Sequence, residues 1–281
     1  MPAIVTLTMN PALDVATATE IIVPSTKLRC EEPRYDPGGG GINVARAVHM
    51  LGGDALAVYP VGGATGEMIR GFLEAEGVPQ AVVPVASMTR QSLAVVERQS
   101  GKQYRFLLPG PPLGAHDRER CLDALAAQAK GAVFIVASGS LPPGAPEDFY
   151  ARLARIVGAR HSRMVLDASG QALAAALEEG VYLVKPNLRE LRQLTGQPLE
   201  GEEEWAAAAT RLATSGKAQV VALSLGHPGK DRQHGRRRRQ LSRRDGLAPR
   251  VRQWSRGRVP VRRCGRHGGA ARAGHQPRAQ G

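Results

Sequence analysis

The chain has 281 residues, 42% of them hydrophobic, and three cysteines without a CxxC pair; this suffices for one large α/β domain or two smaller ones, and fits a reducing compartment with thiols as packing residues. The net charge of +13 is unevenly placed: residues 1–229 hold 21 basic and 23 acidic side chains (net −2), whereas 230–281 hold 17 basic and 2 acidic (net +15). The longest apolar run, AVFIVA from Ala132, falls far short of the roughly 18–20 residues of a bilayer span, and MPAIVTLTMNPALD lacks the basic region of a signal peptide, so no membrane partner and a cytoplasmic location are expected.

In chain order, IVTLT (Ile4 to Thr8) predicts a first strand, followed by Asp14. Polar and apolar residues alternate around Lys27 to Tyr35, and a glycine run then leads into the helical pattern NVARAVHML. ALAVYPVG (Ala55 to Gly62) predicts a strand, GEMIRGFLEAEG a helix, and a second alternating stretch covers Gln91 to Leu108. GAVFIVASG (Gly131 to Gly139), RMVLDASG (Arg163 to Gly170), VYLVKPN (Val181 to Asn187) and QVVALSLG (Gln219 to Gly226) predict further strands, with the helical EEEWAAAATRLATSGK before the last. The expected fold class is α/β: a mostly parallel sheet flanked by helices, with ligands at the carboxyl ends of its strands. The two alternating stretches, near 15–37 and 88–110, predict a small antiparallel flap open on one face.

The most specific local motif is DPGGGGINVARA (Asp36 to Ala47). Glycines before a helix expose backbone amides to a polar or anionic ligand; a flexible loop with Asn43 as a simple cap is the alternative. The motif is neither GxGxxG nor a P-loop, and no P-loop occurs elsewhere in the chain.

GGGGINVARA, together with TLTMNPALD, VGGATGE, TRQSLAVVERQSGKQYRFLLPG, SGSLPPG, VKPNLREL and LSLG, resembles the PfkB, or ribokinase-like, family of sugar kinases over residues 1–229. The resemblance implies a ribokinase-like domain with a flap, and transfer of the ATP γ-phosphoryl group to a sugar hydroxyl. For the nearest branch this converts fructose 6-phosphate to fructose 1,6-bisphosphate, a step of glycolysis; tagatose 6-phosphate and fructose 1-phosphate are alternative substrates. In those roles Asp14 would accept hydrogen bonds from neighbouring sugar hydroxyls, and Gly39, Gly40 and Asn43 would contact the sugar. Arg90 and Arg105 would hold the dianionic phosphate as guanidinium forks, with Ser140 donating a hydroxyl and Lys27 assisting. As bare residues, Asp14 has the alternative reading of a turn former and either Arg that of a solvated surface residue, against which the surrounding match TRQ…YRF counts.

On the nucleotide side the resemblance implies roles for Lys185 and Asn187, and for Ser224, Gly226 and Gly229 in the loop against which ATP packs. Glu190, one helical turn after Asn187, would act near Mg²⁺ through metal-bound water; simple capping is the alternative. The family's Gly-x-Gly-Asp stretch, whose Asp takes the hydroxyl proton, has no counterpart after this loop. No catalytic base is therefore assigned, the C-terminal part of the fold is expected to be missing, and the chain as written is expected to be inactive or impaired. Residues 230–281, where Arg, Gly, Ala and Pro fill 32 of 52 positions, read first as an out-of-frame translation of a GC-rich gene, second as a nucleic-acid-binding tail on a non-catalytic protein, and third as a disordered extension. With Trp254 its only aromatic, the tail lacks a stacking platform, so nucleic acid is not the expected partner. The expected partners are a sugar phosphate and a second copy of the chain, paired through the flap.

Overall fold

The computed structural model describes residues 2–225, all of which belong to one unit of the chain, Met1–Arg232. The expectations for Gly226, Gly229 and the basic tail fall on residues outside this range. Seven short strands, β1 (Ile4–Leu7), β4 (Ala55–Val61), β5 (Gln80–Pro84), β8 (Phe134–Ser138), β9 (Arg163–Asp167), β10 (Val181–Val184) and β11 (Ala218–Val221), form one sheet. Its order is β11-β10-β9-β8-β1-β4-β5 and every pairing is parallel. The apolar runs become strands because parallel strands are buried on both faces and need no polar alternation. The five-residue β5 adds one strand to the six that the apolar runs predict.

Helices α1 (Gly40–Met50) and α2 (Gly63–Ala75) cover one face, where Ile42, Ala45, Ile69 and Leu73 pack on Ala55, Ala57 and Tyr59. On the other face, α3 (Ala115–Gln128), α4 (Phe149–Gly158) and α5 (Gly170–Glu178) bury Leu125, Leu153 and Leu173 in one cluster with Ile135, Ala137, Leu166 and Val184. Helices α6 (Leu188–Thr195) and α7 (Glu202–Thr214) follow β10 and share a third cluster through Leu191 and Ala208. Burial is uneven across β9 to β11. The paired residues Leu166 and Val184 are fully buried, whereas the paired Val165, Leu183 and Val220, one position earlier along the strands and so on the opposite face, are only half-buried among the described residues.

The flap is a separate sheet of β2 (Ala12–Thr19), β3 (Arg34–Gly38), β6 (Arg90–Glu97) and β7 (Gln103–Leu107), in the order β3-β2-β6-β7. It corrects the expectation of an antiparallel flap: β2–β3 and β6–β7 are antiparallel, but the central pair β2–β6 is parallel. The reason is topological. Both β2 and β6 leave the main sheet outward, after β1 and β5 respectively, while β3 and β7 make the return journeys at the two edges. A second correction concerns the stretch from Lys27 to Tyr35, which is loop until Arg34.

The flap's two faces differ chemically. Paired positions place Asp36, Asp14, Ser92 and Leu107 in one row, with Arg90 and Arg105 on the same face at alternate positions of β6 and β7. The opposite face carries Tyr35, Val15, Leu93 and Phe106 as a continuous row, and Tyr35 and Phe106 are 40% and 51% exposed.

Candidate active site

The strand order reverses direction at β1, whose neighbours are β4 on one side and β8 on the other. Such a switch point opens a crevice beyond the carboxyl ends of the strands. Residues Thr8 to Asn10 leave β1 there, Gly139 and Ser140 leave β8, and α1 begins there at Gly40. Asn10 Nδ2 donates to Ser140 Oγ at 3.2 Å, tying the two sides together across 130 residues of sequence.

The glycine loop is shaped by close approach. Gly39 has φ +132°, a region essentially closed to other residues, and a Cβ there would lie 2.5 Å from Thr8 Cγ2. A Cβ on Gly40 would collide with Ser138 Oγ, and one on Gly41 would lie 2.6 Å from the Leu7 carbonyl oxygen. With Gly39 as N-cap no side chain can cap α1. Thr8, from the end of β1, replaces that cap: its Oγ1 accepts from the Ile42 amide at 2.8 Å. The amides of Gly40 and Gly41 sit at the helix start, where backbone donors have no partner within the helix and favour negative charge. Asn43, one turn on, is exposed.

Above this loop stands the polar face of the flap. A Cβ on Gly38 would lie 2.5 Å from Asp14 Oδ2, so the carboxylate leans over the start of the glycine loop. Burial pushes the Asp14 carboxyl above its ordinary value; the positive fields of Arg105 and Arg90 and a hydrogen bond with Ser92 oppose the shift, while Asp36 adds to it. Burial likewise lowers the Arg90 guanidinium, with Asp14 opposing. Arg90 Nη2 donates to the Asn10 carbonyl at 3.2 Å and Nη1 to that of Leu108 at 3.4 Å. Its buried Nε has no partner among the described residues. Arg105 is exposed. Asp14, Gly39, Gly40, Arg90, Arg105 and Ser140 thus converge on one crevice. Lys27 does not join them; it lies in the exposed loop between β2 and β3 and makes no hydrogen bond or ion pair among the described residues.

The second half of the site lies along the ends of β9 and β10. Lys185 Nζ stands 3.3 Å from Asp167 Oδ1, and Asp167 Oδ2 accepts from Ser138 Oγ at 3.3 Å. Asn187 and Glu190 form a reciprocal capping box at the start of α6: Asn187 Oδ1 accepts from the Glu190 amide, and Glu190 Oε2 from the Asn187 amide, both at 2.9 Å. Ser224 pairs with Asn187 as an isolated parallel bridge. Thr8, Asn10, Ser92, Ser138 and Asp167 are additional members of this constellation. Their one local signal is position: four of the five fall at or within three residues of a strand's carboxyl end.

A crevice at the switch point, roofed by the flap's polar face and floored by helix-start amides, defines an α/β protein whose candidate site is polar and lies at the carboxyl ends of its strands. The described residues contain no helix long and apolar enough to cross a membrane. The profile of the pfkB family of carbohydrate kinases matches residues 5–231, and the chain belongs to that family; it is a phosphotransferase by kinship. The ATP-dependent 6-phosphofructokinase isozyme 2 of Mycobacterium tuberculosis is 50% identical over 228 residues, covering 81% of this chain and 67% of that protein. Its Escherichia coli counterpart is 45% identical over 230 residues, covering 82% and 74%. The crystal structure of Escherichia coli phosphofructokinase-2 with fructose-6-phosphate superposes with a TM-score of 0.77 at 44% identity, covering 80% of this chain and 75% of that one. A tetrameric inhibited form of the same enzyme is also similar, with a TM-score of 0.76.

Proposed function

We propose that the crevice binds fructose 6-phosphate as the acceptor of a phosphoryl group from ATP, giving fructose 1,6-bisphosphate, in the cytoplasm. The observation that carries this reading is the polar face of the flap, on which Asp14, above the glycine loop, shares one face with Arg90 and Arg105 and feels the positive field of both. A carboxylate that accepts but cannot donate suits adjacent sugar hydroxyls, and two guanidinium groups suit a phosphate dianion. Gly39, Gly40 and Asn43 line the sugar side, and Ser140 adds a hydroxyl beside the phosphate. Lys27, exposed in the loop between β2 and β3, carries no part of this reading. Tagatose 6-phosphate and fructose 1-phosphate present the same functional groups and are the competing substrates.

ATP would lie along Lys185, Asn187 and Ser224, with Gly226 and Gly229 following. The fit to Mg²⁺ rests on Glu190: its capping role engages Oε2, leaving Oε1 without a protein donor among the described residues. One carboxylate with water and phosphate oxygens is a normal Mg²⁺ shell, and the ion would supply charge neutralisation to the transferring group. Lys185, held beside Asp167, would meet the phosphates directly. The sequence contains no Gly-x-Gly-Asp, so no carboxylate is supplied in that pattern to take the hydroxyl proton. Preorganised amide donors are each worth a factor of about 10² to 10³ in rate; this reading therefore expects sugar-phosphate binding with little turnover in the 281-residue chain. The Tyr35–Val15–Leu93–Phe106 row, exposed at its two ends and half-buried between them, favours a homodimer formed through the flap.

The test is equilibrium titration of the full chain with fructose 6-phosphate, alongside Arg90→Ala and Arg105→Ala. Each substitution is expected to weaken binding by about 1.5–3 kcal/mol, as for a lost charge-assisted contact. Unchanged affinity in both variants, or tighter binding of fructose 1-phosphate than of fructose 6-phosphate, would overturn the assignment.

A further inference from the structure

Asn10 belongs to no part of the sugar or nucleotide contacts assigned above, yet among the described residues it is the one bonded to both Ser140 and Arg90. Its side-chain amide donates to Ser140 Oγ at 3.2 Å, and its backbone carbonyl accepts from Arg90 Nη2 at 3.2 Å. The side chain is held from behind by Gly110, which is buried. A Cβ on Gly110 would collide with Asn10 Oδ1 and would lie 3.3 Å from Arg90 Cδ. Four segments far apart in sequence therefore meet at one point: the exit of β1, the start of β6, the loop after β7 and the exit of β8.

We infer that Asn10, backed by Gly110, is a positioning residue that sets Ser140 and Arg90 in register for the phosphate of the sugar. This deepens the reading under Proposed function and rests on it. A serine hydroxyl can rotate freely and can either donate or accept. Because Asn10 Nδ2 fills an acceptor position on Ser140 Oγ, the hydroxyl hydrogen is left to point elsewhere, which makes Ser140 a donor toward an anion. The Asn10 carbonyl meanwhile occupies one edge of the Arg90 fork, restricting the guanidinium plane and leaving fewer rotamers to freeze when phosphate arrives. Gly110 is needed as glycine here for space, since any side chain would push Asn10 off Ser140.

The experiment measures the dissociation constant of the full chain for fructose 6-phosphate in five forms: unsubstituted, Asn10→Ala, Gly110→Ala, Arg90→Ala/Ser140→Ala, and that pair with Asn10→Ala added. Asn10→Ala and Gly110→Ala are each expected to weaken binding about tenfold or more, the loss typical of a disturbed charged hydrogen bond. Asn10→Ala removes the side-chain amide on Ser140 but keeps the backbone carbonyl that accepts from Arg90, so its effect runs through Ser140 and should fall below about twofold once Ser140 and Arg90 are both gone. A residue that merely holds the β1–β2 turn would weaken binding in either background, so an equal loss in both overturns the inference. Binding within about twofold of the unsubstituted chain by Asn10→Ala and Gly110→Ala also overturns it. Should Asn10→Ala fail to fold, Gly110→Ala is compared in the same two backgrounds with the same expectations. Failure of the underlying reading looks different: the unsubstituted chain does not bind fructose 6-phosphate, or the Arg90→Ala/Ser140→Ala pair binds it as well as the unsubstituted chain does.

Discussion

Replacing Thr8 by Val removes one oxygen while keeping the β-branched shape that rests against Gly39. Thr8 is 2% exposed, and its Oγ1 is the acceptor for the Ile42 amide at 2.8 Å. No side chain at the N-cap can take over, because the cap is Gly39. The variant therefore leaves a buried N–H without a partner, which costs about 1–3 kcal/mol. For a folded unit of this size each kcal/mol lowers the melting temperature by about 2–4 °C. The expected result is a melting temperature about 2–12 °C lower, with an unchanged m-value in urea and weaker binding of fructose 6-phosphate as the start of α1 loosens. Thr8→Ser, which retains the oxygen, should recover most of the stability. A Thr8→Val protein within about 0.5 kcal/mol of the original, or a Thr8→Ser protein as unstable as Thr8→Val, would refute the assignment of Thr8 as the cap of α1.

Asp14→Asn should abolish tight sugar binding yet raise the melting temperature at neutral pH. The carboxyl's folded value lies above its unfolded one, so its contribution is favourable only while protonated and is lost as pH rises through that raised value; the gain from Asn should therefore vanish near pH 3, and a gain equal at both pH values would contradict it. Glu190→Gln keeps the capping geometry, since glutamine serves in a capping box, but removes the charge; it should leave the melting temperature within about 1 °C while weakening the Mg²⁺ dependence of nucleotide binding, whereas Glu190→Ala should lower both. If Glu190→Gln is silent in a Mg²⁺ titration, Glu190 only caps the helix. Among the described cysteines, Cys30 is exposed and Cys121 is buried, with burial pushing the Cys121 thiol up to about 12; a thiol reagent at pH 8 should modify Cys30 in the native state and Cys121 only after unfolding, as mass spectrometry of the labelled peptides would report.

The parallel sheet was legible because buried strands are short, uninterrupted apolar runs bounded by Gly, Pro, Asn or Asp, as in ALAVYPVG and VYLVKPN. The glycine run and the Asn187–Glu190 spacing are local patterns too: the glycines mark the start of α1, which begins at Gly40 rather than at Asn43, and Asn187 with Glu190 forms the capping box of α6. Pairings between distant segments were not legible. Alternation around Gln91 to Leu108 indicates half-buried strands but carries no information about which neighbour each strand meets, so the parallel β2–β6 pair came only from the fold. The contacts of Thr8 with Ile42, Asn10 with Ser140, and Asp167 with Ser138 and Lys185 are likewise decided by tertiary structure. A hydroxyl or carboxylate at a strand end looks the same in sequence whether it faces solvent or a partner more than a hundred residues away. The direction of the Asp14 shift has the same origin: one carboxylate in an alternating stretch becomes hard to ionise because the chain closes over it, and the two arginines that offset that burial arrive on β6 and β7, about 76 to 91 residues later.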